Sequence, residues 1–270
     1  MLASSTEQSL PVSSQAMVPP TQVASLRAVL NQLQPHWNAK WAWDNYRTTI
    51  LALSQGLGLH HLCEIGGGRD PLFSPDEVKQ LGLELTINDI SPVELANAPA
   101  GLHTACFDIA GDIAAAGMKG NQFDLMFSRM VFEHVHNVEQ AWKNIHTLLT
   151  PGGVALAFFP TLYSLPFVLN KLMPEQLSRA ILKVFYPARR DDGDDPKFPA
   201  LYDHCFGDDE SQNAMLSPIG FREVLVVPFW GHEYFARMPG LREVDGAFNA
   251  FAAKQDWRKA TSHAYVLVRK

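Results

Sequence analysis

The feature that most constrains the fold is a rhythm. From His60 onward, short apolar runs recur with helical or loop segments between them: HHLCEI, LELTIND, LHTACFD, FDLMFSR and GVALAFFP. Each reads as a strand, and the segment VEQAWKNIHTLLTPGG before the last of them reads as a helix closed by Pro-Gly-Gly. Strands alternating with helices imply βαβ units and a mostly parallel sheet covered on both faces, a doubly wound α/β architecture. Two later runs, FREVLVVPFW and SHAYVLVRK, flank one helix in REVDGAFNAFAAKQ and bring the sheet to seven strands. The last of them can pair antiparallel beside its neighbour.

Ahead of the first strand, Val23, Leu26, Val29, Leu30 and Leu33 recur at helical spacing, and a second helical stretch runs from Trp41 to Leu59, ending at Gly56 or Gly58. These form N-terminal cap helices over 21–60. The Ser/Gln/Pro-rich residues 1–20 read as a disordered tail, leaving 21–270 as one domain. The strand rhythm breaks over about 161–217, where prolines, a basic-apolar piece (KLMPEQLSRAILKVFYPARR) and the run DDGDD are expected to form an inserted lid. A lid helix of that kind also allows peripheral contact with a membrane surface.

Charge narrows the partners. The formal net charge is -6, and the 22 Lys and Arg residues are scattered, which points to a small molecule rather than nucleic acid. Cys63, Cys106 and Cys205 make neither a disulfide framework nor a CxxC zinc pattern, consistent with a reducing cytoplasm. DDGDD lacks the spacing of an EF-hand loop, so no metal is expected. No run is long and apolar enough for a membrane span, and the N-terminus lacks the basic region of a secretory signal. Nothing in the sequence specifies an oligomeric state.

The stretch LCEIGGGRDP carries the chemistry. A dinucleotide loop needs G-x-G-x-x-G; here Gly66 and Gly68 supply two glycines, but Pro71 occupies the third position. Glu64 and Asp70 add carboxylates where a pyrophosphate would be repelled, and no Gly-Lys-Ser/Thr follows for a P-loop. A nucleoside carrying a cationic group fits better. Asp89 ends the second strand, about 20 residues on, where a carboxylate accepts both ribose hydroxyls. Asp108 and Ile109 end the third, offering a carboxylate to an exocyclic amine and an apolar wall to a purine; an N-cap or turn role is the rival for Asp108.

These residues, with FDLMFSRMVFEHVHNVEQAWKNIHTLLTPGGVALAF, resemble the class I S-adenosylmethionine-dependent methyltransferases, in their small-molecule branch of quinone and sugar enzymes. The resemblance spans about 60–160 and stops short of the lid. It implies that Glu64, Gly66, Gly67, Gly68 and Asp70 hold the methionine part. Asp89 with Ile90 would hold the ribose, Asp108 and Ile109 the adenine, and Ser128 would meet the cofactor at the end of strand four. Arg129 departs from the small or polar residue expected there.

His134, in the phrase Glu133-His134-Val135, is the expected base; His204 and His232 are reserves, and Tyr202, Trp230 and Tyr234 are expected to wall the acceptor. Each histidine also has a plain reading as a hydrogen-bonded packing residue or surface cap. The resulting expectation is O-methylation of a sugar, glycan or glycolipid hydroxyl. A C- or O-methyltransferase of quinone or phenolic rings is the alternative, and a non-catalytic S-adenosylmethionine-binding regulator the rival of another class. A nicotinamide oxidoreductase stands further off.

Overall fold

A computed structural model describes residues 24–162, 200–233, 235–236 and 238–270. Seven strands form one sheet: β1 (His61–Ile65), β2 (Glu84–Asp89), β3 (His103–Cys106), β4 (Phe123–Arg129), β5 (Leu149–Pro160), β6 (Glu223–Phe229) and β7 (His263–Arg269). Their order is β3-β2-β1-β4-β5-β7-β6. Pairings among β1 to β5 are parallel, while β7 runs antiparallel to both β5 and β6. The strand order reverses between β1 and β4, which opens a crevice at their C-terminal ends.

Period-two alternation assigns the two faces of the sheet. Leu62, Leu125, Phe127, Leu156 and Phe158 point to one side, where α1 (Leu26–Gln32), α2 (Ala39–Leu57) and α3 (Pro75–Gln80) cover them. Cys63, Ile65, Met126, Ala155 and Ala157 point to the other, under α5 (Val138–Leu148) and α6 (Asp209–Leu216). In α5, Val138, Ala141, Trp142, Ile145 and Leu148 recur every three or four residues and are buried as one stripe. Trp142 packs on Phe132 with ring centroids 4.9 Å apart. The short α4 (Pro92–Ala96) follows β2, and α7 (Leu241–Lys254) lies between β6 and β7.

Helix boundaries follow ordinary capping chemistry. Asn38 caps α2 by accepting the Lys40 N–H at 2.8 Å, and Gly58 closes it in the left-handed conformation. Ser74 and Glu77 form a capping box on α3, with Pro75 in its first turn. The Tyr265 hydroxyl donates to the Ala42 carbonyl and ties α2 to the sheet.

One boundary differs from expectation. The helix ends at Leu148, and Pro151-Gly152-Gly153 lies inside β5 rather than closing the helix. Gly152 adopts φ 83° and donates to the Lys270 carbonyl, while the Lys270 N–H reaches Gly153. Pairing with the C-terminal end of β7 therefore extends the strand backward through a segment that looks like a turn. The expected tail over 1–20 and most of the expected lid, including the basic-apolar piece and DDGDD, lie outside the described residues. Within the expected lid span, α6 is described, and its Met215 and Leu216 belong to the core.

Asn88 fastens the functional end of the sheet. Its buried side chain donates to the Ala105 carbonyl at 3.1 Å and the Phe107 carbonyl at 2.9 Å, and its own carbonyl accepts the N–H groups of Gly66 and Gly67. Asn88→Ala strands buried carbonyls, so we expect it to lower stability by about 2 kcal/mol in chemical denaturation.

Candidate functional site

The glycine loop leaves β1 under tight restraint. Gly66 and Gly68 adopt φ 71° and 47°, conformations that L side chains rarely take. A Cβ on Gly66 would come within 2.5 Å of Val131, and one on Gly67 within 2.9 Å of Ile87 and 3.1 Å of Glu64. The loop is thus wedged between β2 and the turn after β4. This packing brings Val131, which leads into the Phe132–His134 turn, beside the glycines.

Glu64 is 5% exposed, and its Oε2 accepts the Leu72 N–H at 2.8 Å. Burial pushes its carboxyl up to about 7, against the lowering effects of that hydrogen bond and of the Arg129 guanidinium. Arg129 itself lies over the Tyr46 ring, 5.7 Å from its centroid. Such a carboxylate responds strongly to any cation placed next to it.

Asp89 ends β2 with Oδ1 accepting the Ser91 N–H at 2.8 Å, while a Cβ on Gly68 would lie 3.0 Å from Oδ2. Asp89 therefore borders the glycine loop, as its spacing implies. Beside it, Arg69 and Glu94 pair in bidentate fashion at 2.5 and 2.7 Å, a clamp that joins the loop to α4. Asp70 is exposed on the outer side of the loop. Ile90 is 56% exposed beyond Asp89.

Other expected contacts divide. Asp108 is exposed, and its Oδ1 accepts the Ala110 N–H at 2.8 Å, which realises the turn role weighed against ligand binding. Ile109 is 4% exposed and packs in the core, so its side chain supports the site from below. Ser128 is fully buried in β4 between Ile65 and Ala157, and its hydroxyl lacks a hydrogen-bond partner among the described residues.

After β4, residues Phe132–His134 form a 3-10 turn. The Glu133 carboxyl is buried, which pushes it up to about 7, and its Oε1 lies 3.9 Å from His134 Nε2. His134 keeps about a third of its side chain exposed. Its neighbour chain returns overhead: Leu201 and Tyr202 N–H groups donate to the Glu133 carbonyl. The burial of Glu133 is set by tertiary packing and carries no signal in the sequence.

The remaining candidates scatter. His204 pairs through Nδ1 with Asp203 at 2.8 Å, and both His204 and Tyr202 adopt positive φ. Trp230 is buried, its indole donating to the Trp257 carbonyl, and its backbone joins Trp37 and Ala39. Tyr234 lies outside the described residues. His232 opens onto a separate feature, a cavity of about 650 Å³ between the N-terminus of α2, the end of β6 and α7. There His232 Nε2 faces Asp245 Oδ1 at 3.3 Å, and Asn249 donates to the other Asp245 oxygen at 2.9 Å. Burial lowers the His232 imidazole below its usual range, with Asp245 opposing.

Sequence reasoning missed Asp245, Asn249, His263 and Trp43 at this cavity. The only prior signal was the Asp-x-x-x-Asn spacing on α7, which puts both polar groups on one helix face. Among the described residues no group of three or more His, Cys, Asp or Glu forms a metal site, and no helix is long and apolar enough to cross a membrane.

Comparison with known proteins bears on this geometry. Residues 64–157 match the family described as "Methyltransferase domain". No curated protein matches the sequence. Among solved structures, the DszA carbon methyltransferase is similar with a TM-score of 0.52 at 17% identity, over 91% of this chain and 58% of that one. The CurJ carbon methyltransferase is similar with a TM-score of 0.50 at 16% identity, over 86% of this chain and 54% of that one. An S-adenosylmethionine-dependent methyltransferase from Archaeoglobus fulgidus aligns over 86% of this chain and all of its own, at 15% identity and a TM-score of 0.49. The chain thus spans little more than half the length of the two carbon methyltransferases. Strand order, antiparallel β7 and the glycine loop after β1 agree with the match over 64–157: this part of the chain is similar to the methyltransferase domain family, and the sheet has the fold of the methyltransferases it resembles.

Proposed function

We propose that the protein transfers a methyl group from S-adenosylmethionine to a hydroxyl of a sugar or glycan acceptor. The observation that carries the reading is His134, part-exposed and beside the buried Glu133, on the turn whose Val131 packs against Gly66. An alcohol is a weak nucleophile, so a base at this position serves it directly.

In this reading the cofactor lies along the crevice, with Glu64 and the glycines at its methionine end, Asp89 at the ribose and Asp108 near the adenine. The buried Glu64 supports this, since a cationic amino group or sulfonium compensates a desolvated carboxylate. S-adenosylmethionine supplies an electrophilic methyl: its carbon–sulfur bond breaks with the electron pair going to sulfur, and the new bond forms to the acceptor oxygen. His134 takes the hydroxyl proton, and Glu133 orients the imidazole and balances its charge. The three unpaired thiols, Cys63, Cys106 and Cys205, support a cytoplasmic setting.

Three results test these assignments. Asp89→Ala should weaken S-adenosylmethionine binding by about 1.5–3 kcal/mol in calorimetry, the worth of a charge-assisted hydrogen bond. A change within twofold would remove Asp89 from the ribose site.

Glu64 gives a pH dependence of defined sign. Its folded pKa lies above the ordinary carboxylate value, so between about 4.5 and 7 the folded apoprotein holds a proton that the unfolded chain has lost. That contribution to stability is complete below the unfolded value and is lost as pH rises towards 7. A bound cation favours the ionised form, so binding expels the proton. S-adenosylmethionine affinity should therefore fall as pH drops below 7, and Glu64→Gln should bind more weakly with that slope flattened.

His134→Ala should lower kcat by about 100-fold or more while leaving S-adenosylmethionine affinity within twofold. Retention of most of the rate would favour methylation of an activated quinone or phenolic ring, which depends less on a base. Binding of the cofactor with no turnover of any acceptor would favour a regulatory protein.

A further inference from the structure

The cavity beside α7 has a built polar floor. His263 is 5% exposed, and its Nδ1 lies 3.0 Å from Ser262 Oγ. The Ser262 hydroxyl donates to the Gly231 carbonyl, so it receives the His263 Nδ1–H. Burial pushes the His263 imidazole down to about 3, so it is neutral and Nε2 is a bare acceptor. Asp245 and Asn249, both buried, complete the floor beside His232.

The walls have a different character. Trp43, 42% exposed, meets Phe158 and His263 edge-on at 5.0 and 6.1 Å, and Trp37 also lines the cavity. The lining cations are already matched: Lys40 pairs with Asp44 at 2.7 Å, and Arg242 pairs with Glu243. Among the described residues, an incoming phosphate or carboxylate thus finds no unmatched positive charge in the lining. The volume suits a small organic ligand. Aromatic faces over a neutral, buried acceptor suit a ring that is apolar on its faces and hydroxylated on its edge.

The cavity also lies on the working side of the sheet. His263 starts β7 opposite Pro160 and Phe229, at the C-terminal ends of β5 and β6. It stands two strands from β4, about 10 Å at ordinary strand spacing.

Resting on the hydroxyl-methylation reading above, we propose that this cavity is the acceptor subsite for a neutral, non-reacting saccharide ring. One ring hydroxyl donates to His263 Nε2 while its face packs on Trp43. A glycan of two or more rings then reaches from this subsite to the crevice above β4. Binding energy gathered here positions the reacting hydroxyl.

Calorimetry of the full chain with S-adenosylhomocysteine saturating, titrated with neutral methyl disaccharides (maltoside, cellobioside, lactoside) and with their uronate or phosphate analogues, tests this. At least one neutral disaccharide should bind, more tightly than its anionic analogue. Trp43→Ala and the near-isosteric His263→Gln should each weaken it at least tenfold, with S-adenosylhomocysteine affinity within twofold. Saccharide binding that both variants leave unchanged would overturn the subsite while leaving hydroxyl methylation standing. An absence of saccharide binding, with a phenolic probe bound in a Trp43-dependent manner instead, would overturn the saccharide class and the hydroxyl reading together. Preference for the anionic analogues would overturn the charge argument on which the subsite rests.

Discussion

The site depends on what Asn88 holds. Its carbonyl receives two N–H groups of the glycine loop, and its amide holds the chain leaving β3. One residue therefore ties three strand ends, the loop after β1 through its backbone carbonyl on β2 and the chain leaving β3 through its side-chain amide. Hydrogen bonds of this kind are strongly constraining because a stranded buried carbonyl costs more than the bond itself contributes. Val131 then closes the loop from the β4 side, so the glycines are caught between two elements and no side chain fits.

On that frame sit two carboxyls that the fold has deprived of water. Glu64 and Glu133 are each 5% exposed, and both are pushed up to about 7 by burial. A globular protein tolerates such groups when a ligand or partner repays their desolvation. Glu64 lies by the loop that would meet a cationic cofactor, and Glu133 by a histidine that would become cationic on accepting a proton. Both costs are thus relieved by positive charge that arrives or develops during the proposed reaction.

Much of this was legible from residues alone. The strand rhythm predicted the parallel sheet and its antiparallel close, because period-two burial and short apolar runs are local signals. Gly66, Gly68 and Asp89 were legible because turn conformation and strand-end spacing are set within a βαβ unit. The burial of Ile109 and Ser128 was not legible, because tertiary packing decides whether a residue at a strand end turns inward. The Pro151-Gly152-Gly153 segment read as a helix stop because its strand pairing comes from Lys270, over a hundred residues away. The cavity was hidden for the same reason: Trp43, Asp245 and His263 come from three distant segments.

The central claim is that the transferred methyl ends on a hydroxyl oxygen. Incubation with S-adenosylmethionine labelled with 13C in its methyl group and a neutral methyl disaccharide, followed by carbon NMR of the product, reads the attachment directly. The account predicts a methyl ether on a ring oxygen, with S-adenosylhomocysteine formed in equal amount. A labelled methyl found on carbon, or no transfer to any saccharide by protein that binds the cofactor, would contradict it.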